Sequence, residues 1–250
     1  MNQKKTTFIR EVSRDFWRCR MERKIKLSRQ ETNKIKERYK SRLQTWGHDE
    51  QSVGWGKKGR QRERFKFLLG PWQVEGKTIL DIGAGFGDLY SECRNCEEYL
   101  GIDVVPELVS EGMKAYGNNV NFKLMLGDFL DPKFKFECDL VFISGTFNFK
   151  IEDWDNYEFI TQTLTKGFSL AAEGLSFNFI RDETSYKEDL IFYSNISKLI
   201  QIVTSLTPRY ALHLDYMPYE GTIHLFKSTD LDEQERFYKR NEHFSKSIDI

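Results

Sequence analysis

Three glycines fall within five residues directly after a short apolar run, in Thr78-Ile79-Leu80-Asp81-Ile82-Gly83-Ala84-Gly85-Phe86-Gly87-Asp88-Leu89. The pattern restricts this stretch to a buried strand that turns sharply into a helix. Glycine accepts positive φ and carries no Cβ, so a ligand can approach the main chain at 83, 85 and 87 where other residues would hold it away. Such a turn at the carboxyl end of a strand is the local form of a nucleoside site. The spacing is Gly-x-Gly-x-Gly, and Asp88 stands where the dinucleotide fingerprint requires its last glycine, which argues against NAD and FAD. Asp81 repels a pyrophosphate and attracts a cation. The ligand that fits is a nucleoside with a cationic amino-acid moiety, a description met by S-adenosylmethionine.

From Lys77 onward, strand and helix patterns alternate. Strands are expected over 78–82, 99–103, 120–126, 139–143, 175–180, 209–215 and 222–227, and helices over 87–96, 106–116, 153–173 and 187–205. A turn with Pro218 and Gly221 joins the last two strands as an antiparallel pair. The fold class is α/β, a doubly wound Rossmann-like sheet of seven strands with a terminal antiparallel hairpin. The second strand ends in Asp103, whose carboxylate can accept both hydrogen bonds of a vicinal ribose diol, or else be a solvated strand-end acid. The third leads to Asp128 and Phe129. The fourth delivers Ser144-Gly145-Thr146-Phe147-Asn148-Phe149 to the same edge.

On these motifs the stretch 77–227 resembles the class I S-adenosylmethionine-dependent methyltransferases. The resemblance implies a cofactor site of Asp81, Gly83, Ala84, Gly85, Gly87, Asp103 and Ser144. It also implies that Asp128 or its neighbour meets the adenine amino group, with Phe129 lining the ring. Asp128 can equally cap a turn before Pro132. Base-amino methyltransferases carry Asn/Asp-Pro-Pro-Tyr/Phe after the fourth strand; the prolines are absent here, although Phe147 and Asn148 can still contact an acceptor. The Ser-Gly-x-Phe-Asn wording is similar to that of a group of bacterial class I methyltransferases.

Methyl transfer from a sulfonium is an in-line displacement that needs a base only when the acceptor keeps its proton. His213 and Asp215, two apart on the sixth strand and so on one face, are the candidate base and its orienting partner, with His224 on the returning strand nearby. Arg181 and Tyr216 are candidate acceptor contacts, joined by Tyr219, Glu220, Asn178 and Asp182. The expected reaction is transfer to a small-molecule or sugar acceptor, at oxygen.

Length fits one large α/β domain with an appendage. Residues 1–70 are expected to form a basic helical extension or lid, 71–228 the cofactor-binding domain, and 229–250 a tail. Ser28 and Glu31 form a capping box before a helix that ends near Gly47, with Ile35, Tyr39, Leu43 and Trp46 at helical spacing. Residues 48–59, with three glycines and Trp55, have the make-up of a mobile lid, and helix returns over 60–69. One or two short helices are expected in 1–27. Of 38 basic residues 21 lie in 1–70, against 8 of the 38 acidic ones, so a neutral total conceals a basic head on an acidic body. The head either docks on that body or meets an anionic partner such as nucleic acid, which keeps an RNA methyltransferase among the readings beside a non-catalytic cofactor-binding scaffold. No apolar run approaches a membrane span and no signal core opens the chain, so a cytoplasmic location is expected. The cysteines, including the lone Cys93-Arg94-Asn95-Cys96 pair, read as packing residues, and no metal site is expected.

Overall fold

A computed structural model describes residues 28–54 and 59–228. The short helices expected in 1–27, Cys19, Trp55 and Gly56 of the expected lid, and the tail 229–250 lie outside the described residues. Seven strands, β1 (Thr78–Ile82), β2 (Glu98–Asp103), β3 (Phe122–Leu126), β4 (Cys138–Ile143), β5 (Ala171–Ile180), β6 (Tyr210–His213) and β7 (Glu220–Phe226), form one sheet in the order β3-β2-β1-β4-β5-β7-β6. The first five are parallel, and β7 pairs antiparallel with both β5 and β6. Strand order reverses between β1 and β4, and in a doubly wound sheet the ligand crevice opens at the carboxyl ends beside that point. Central strands such as β1 and β4 bury nearly every side chain because helices cover both faces.

Among the described residues five α-helices surround the sheet: α1 (Arg29–Trp46), α2 (Arg60–Leu69), α3 (Pro106–Tyr116), α4 (Asn156–Leu170) and α5 (Ile196–Leu206). Half of the expected capping box forms at α1: Ser28 Oγ accepts from the Glu31 N–H at 3.0 Å, while Glu31 Oε1 accepts from Lys34 and its Oε2 has no partner. Ile35, Tyr39 and Leu43 of α1 pack against Phe86, Val105 and Leu108, which lays α1 across the carboxyl edge of the sheet. Bonds from Ser28 to Asp153 and from Lys34 to Glu152 tie its first turns to the segment after β4.

Three expectations change. No α-helix follows the glycine turn; residues 88–92 form only a 3-10 turn, Asp88–Glu92, because the link from β1 to β2 is short and Asn121 pins its end by donating to the Cys96 carbonyl at 2.8 Å. The face left uncovered is taken by α2, whose Phe65 and Leu68 join Ile79, Tyr99, Leu140 and Phe142 in one apolar cluster. The helix expected over 187–205 starts at Ile196, where the Asn195 side chain accepts from the Lys198 N–H. Residues before it form an irregular segment with turns at 182–183 and 189–190, and the bridges Phe149↔Ile191 and Arg181↔Ser194 fasten it beside the sheet edge. Finally, β6 stops at His213, so Asp215 lies beyond the strand.

The described part of the basic head is held on the body in part by charge. Lys34 pairs with Glu152, Arg62 with Glu92 and Arg64 with Glu220, each linking a helix of the head to the acidic body. Among the described residues no helix is long and apolar enough to cross a membrane.

Candidate functional site

A cavity of about 310 Å³ opens at the carboxyl ends of β1, β2 and β4, beneath α1 and beside α2. That volume suits a small ligand. Gly83, Ala84 and Gly85 line it, with φ of 71° at Gly83 and 59° at Gly85. At Gly83 a Cβ would sit 2.1 Å from Thr146 Oγ1, so the turn nests against the loop after β4. Four N–H groups of the turn are already engaged: Gly83 and Ala84 donate to the Ile102 carbonyl, Gly85 to Asp103 Oδ2 and Gly87 to the Ala84 carbonyl. A phosphate needs such donors unfilled, so the turn offers it little, in agreement with the spacing argument.

Asp81 and Asp103 supply the charge. Asp81 is 2% exposed; its Oδ2 accepts from the Tyr99 hydroxyl at 2.5 Å, while its Oδ1 is buried with no hydrogen-bond partner. Burial pushes this carboxyl up to about 7, with the Tyr99 bond pulling the other way. A buried carboxylate oxygen without a donor is costly, and a cation arriving in the cavity relieves it. Asp103 also lines the cavity, and each of its oxygens accepts one backbone N–H at 2.8 Å, from Gly85 and Val105. It therefore braces the glycine turn, and each oxygen keeps a lone pair for a ligand hydroxyl. Burial raises its pKa, and those N–H bonds oppose the shift.

Asp128, Phe129 and Ser144 complete that half of the cavity. Asp128 Oδ1 accepts from the Leu130 N–H at 2.9 Å, which is the turn-capping role open to it; Oδ2 is not engaged by that bond. Lys166 holds the turn from beneath, donating to the carbonyls of Phe129 and Asp131 at 2.5 and 2.7 Å. Ser144 Oγ accepts from Asn178 Nδ2 at 3.2 Å, and Asn178 Oδ1 accepts from the Gly145 N–H, so Asn178 shapes the loop from behind.

The other half joins Glu220 and Asn148, both candidates from the sequence, to Arg64 and Arg38, which the sequence did not mark as site residues. Arg64 of α2 and Glu220 of β7 form a buried fork-to-fork ion pair on the cavity wall, with Nε to Oε2 at 2.5 Å and a second bond from Nη2 to Oε1. The signal was present in α2, where Gln61, Arg64, Phe65 and Leu68 share the buried face and so place an arginine inside the stripe. Arg38 of α1 lies over the Phe149 ring at 5.9 Å, and both line the cavity with Ile180 and Ile191. Asn148 lines it too, its Oδ1 accepting from the Ile180 N–H at 3.2 Å. Tyr39 reaches the cavity, whereas Trp46 is half exposed and does not.

Several expected site residues stand elsewhere. Gly87 faces the aromatic cluster, where a Cβ would meet the Phe122 ring at 2.8 Å; its role is packing. Phe147 is a core residue, edge-on to Phe177 and Phe159 at 5.5 and 6.0 Å. His213 and Asp215 do not line the cavity. Sequence parity gives a side chain's face, and here lateral position decides: β6 is the outer strand, two beyond β5, a displacement of roughly 10 Å at the usual strand spacing. His213 lies edge-on to Phe67 of α2 at 6.1 Å, and Asp215 is exposed. Tyr216 stacks on Phe67 at 4.1 Å with its hydroxyl 2.8 Å from Thr222 Oγ1, since the link between β6 and β7 folds onto α2. Arg181 pairs with Glu183 at 3.5 Å and is likewise outside the lining. His224 is buried against Ser176 Oγ at 2.6 Å.

The described part of the expected lid closes on the glycine turn. His48 stacks on Phe86 at 4.1 Å and its Nε2 lies 2.8 Å from Asp88 Oδ1. Val53 and Gly54 line the cavity, with Val53 Cγ1 only 3.2 Å from where a Cβ on Gly85 would stand. Among the described residues, no group of three or more His, Cys, Asp or Glu side chains is placed to hold a metal.

No protein-family model matches the chain, and no curated protein matches it. Solved structures do. A magnesium protoporphyrin IX methyltransferase from Synechocystis with bound S-adenosylhomocysteine aligns at a TM-score of 0.57 and 12% identity, over 79% of this chain and 100% of its own. Human N-acetylserotonin methyltransferase in complex with S-adenosylmethionine gives 0.58 and 16%, over 81% of this chain and 60% of its own. The N-methyltransferase NodS from Bradyrhizobium japonicum, in complex with S-adenosylhomocysteine, gives 0.57 and 16%, over 77% and 98%. What the chain has in common with these structures is the fold, the Rossmann-like methyltransferase sheet with its reversed seventh strand.

Proposed function

We propose that the protein is an S-adenosylmethionine-dependent methyltransferase acting on a small-molecule acceptor. The observation that carries this reading is the Asp81 carboxylate, buried with its Oδ1 lacking a donor, in the lining of a cavity whose glycine N–H groups are already engaged. In this reading Asp81 attracts the cationic amino-acid end, Asp103 accepts from the ribose hydroxyls, and Asp128 and Phe129 border the adenine. The cofactor, when bound, supplies an electrophilic methyl on a good leaving group. The chain's part is to align the acceptor, and α1 with Val53 and Gly54 excludes water above it.

A cavity of about 310 Å³ supports a small acceptor over a polymer. Two of the neighbouring enzymes are also named for small molecules, magnesium protoporphyrin IX and N-acetylserotonin. Three cations in the described part of the head, Lys34, Arg62 and Arg64, are paired with the body, which favours a docking role over a nucleic-acid clamp. With His213 and Asp215 outside the cavity, an oxygen acceptor needs its base from the lining, where Glu220, held by Arg64, is the carboxylate farthest in sequence from the cofactor motifs.

Thermal melting with added nucleosides tests the reading. S-adenosylmethionine and S-adenosylhomocysteine are expected to raise Tm, as any ligand specific for the folded state does, while NAD leaves it unchanged. A rise with NAD alone, or with none of the three, contradicts the proposal. Transfer of a labelled methyl group to small-molecule and sugar fractions then identifies the acceptor.

A further inference from the structure

The charges that line the cavity divide by position. Asp81, Asp103 and Asp128 gather at the ends of β1, β2 and β3, while Arg38 and the Arg64–Glu220 pair stand on the side of α1, α2 and β7. Arg64 and Glu220 largely cancel. Among the described residues, Arg38 is then the lining cation with no carboxylate against it; its contact is the Phe149 ring at 5.9 Å. Around it stand Ile35, Phe149, Ile180 and Ile191. A guanidinium beside apolar walls attracts an anion more strongly than one in water, and with its face over a ring its N–H edges remain available for a two-pronged bond. Its position is fixed, because α1 is tied at its start to Asp153 and Glu152, and the loop beyond its end to Asp88.

We propose, on the basis of the methyltransferase reading, that the acceptor is an anionic small molecule. Its carboxylate or phosphate pairs with Arg38, and its apolar body lies against Phe149, Ile180 and Ile191. The charge division matches the two reactants: the acidic half suits a cationic cofactor, and the basic half suits an acceptor of opposite sign. The cofactor's own carboxylate is the other source of the same chemistry.

Calorimetric titration separates these sources. Wild-type protein, with and without saturating S-adenosylhomocysteine, is titrated with aryl and alkyl carboxylates and aryl phosphates, and with the matching neutral amides and alcohols. At least one anion is expected to bind about tenfold or more tighter than its neutral counterpart. Arg38→Gln is expected to abolish that preference, Arg38→Lys to retain part of it, and both to bind S-adenosylhomocysteine within about twofold of wild type. Equal binding of anions and neutral analogues, or none of either, overturns the proposal. So does a loss of about tenfold or more in S-adenosylhomocysteine affinity for Arg38→Gln, which assigns the guanidinium to the cofactor's carboxylate. Absence of S-adenosylhomocysteine binding to wild type tells against the methyltransferase reading instead, and the anion preference without it still decides the role of Arg38. Circular dichroism of each variant confirms that it is folded.

Discussion

The Tyr99 hydroxyl donates a 2.5 Å hydrogen bond to Asp81 Oδ2 and leaves Oδ1 of the same carboxylate buried without a donor, in a residue that lines the cavity. One oxygen is satisfied by the fold and the other is not. Burial holds this carboxyl at about 7, against 3.8 in its unperturbed form. Between those values the unfolded chain releases the proton while the folded chain keeps it, so the ligand-free protein loses stability as pH rises through that window and levels off above 7. The upper limit is about 4 kcal/mol at ~1.36 kcal/mol per unit. Asp81→Asn is expected to flatten this slope and to be more stable than wild type at about pH 8, as measured by urea unfolding. The same carboxylate must be ionised to hold a cation, so S-adenosylmethionine affinity is expected to increase as pH rises through 7 in wild type and to lose that dependence in the variant.

A second titration belongs to the loop over the glycine turn. The Asp88 bond raises the pKa of His48 above its ordinary 6.5, with partial burial opposing. Stability from this pair is fully present below 6.5 and lost as pH rises through the folded value. The pair is partly exposed, so its contribution is under about 1 kcal/mol. His48→Gln is expected to remove that dependence and to speed cofactor release, because Val53 and Gly54 lose their anchor; stopped-flow dissociation at about pH 6 and 8 reads the change.

Buried charge makes the Arg64–Glu220 pair sensitive to the loss of one member. Glu220→Gln leaves a guanidinium without its counter-charge in the wall between α2 and β7, and a cost of about 3–5 kcal/mol in unfolding free energy is expected. Replacing both residues together, as Arg64→Met with Glu220→Leu, should recover much of that stability while impairing any acceptor binding at this wall. Denaturant unfolding of the two single variants and the double variant measures the coupling.

Local signals made much of this legible. The N-cap at Ser28, Pro106 at the start of α3, and apolar runs that carry Asp81 and Asp103 each depend on neighbours within a few residues, and all stand where the sequence places them. Long-range geometry was not legible. The Arg64–Glu220 bond joins residues 156 apart in the chain, and the sheet face left open by the 3-10 turn after Gly87 is covered by α2, from upstream. His213 shows the same limit: two-residue alternation fixes which face a strand residue occupies, while the order β5-β7-β6 fixes how far it stands from the cavity.

Asp103 offers the most direct measurement, because it borders the cavity and supports the turn at once. Calorimetric titration of S-adenosylmethionine into wild-type protein, Asp103→Asn and Asp103→Ala, at about pH 8 where Asp81 is ionised, reads the cofactor site itself. Saturable one-to-one binding is expected for wild type, with a loss of at least about 2 kcal/mol for Asp103→Ala and a smaller loss for Asp103→Asn, which retains one acceptor oxygen. No binding to wild type, or equal binding to all three proteins, contradicts the assignment of this cavity to S-adenosylmethionine.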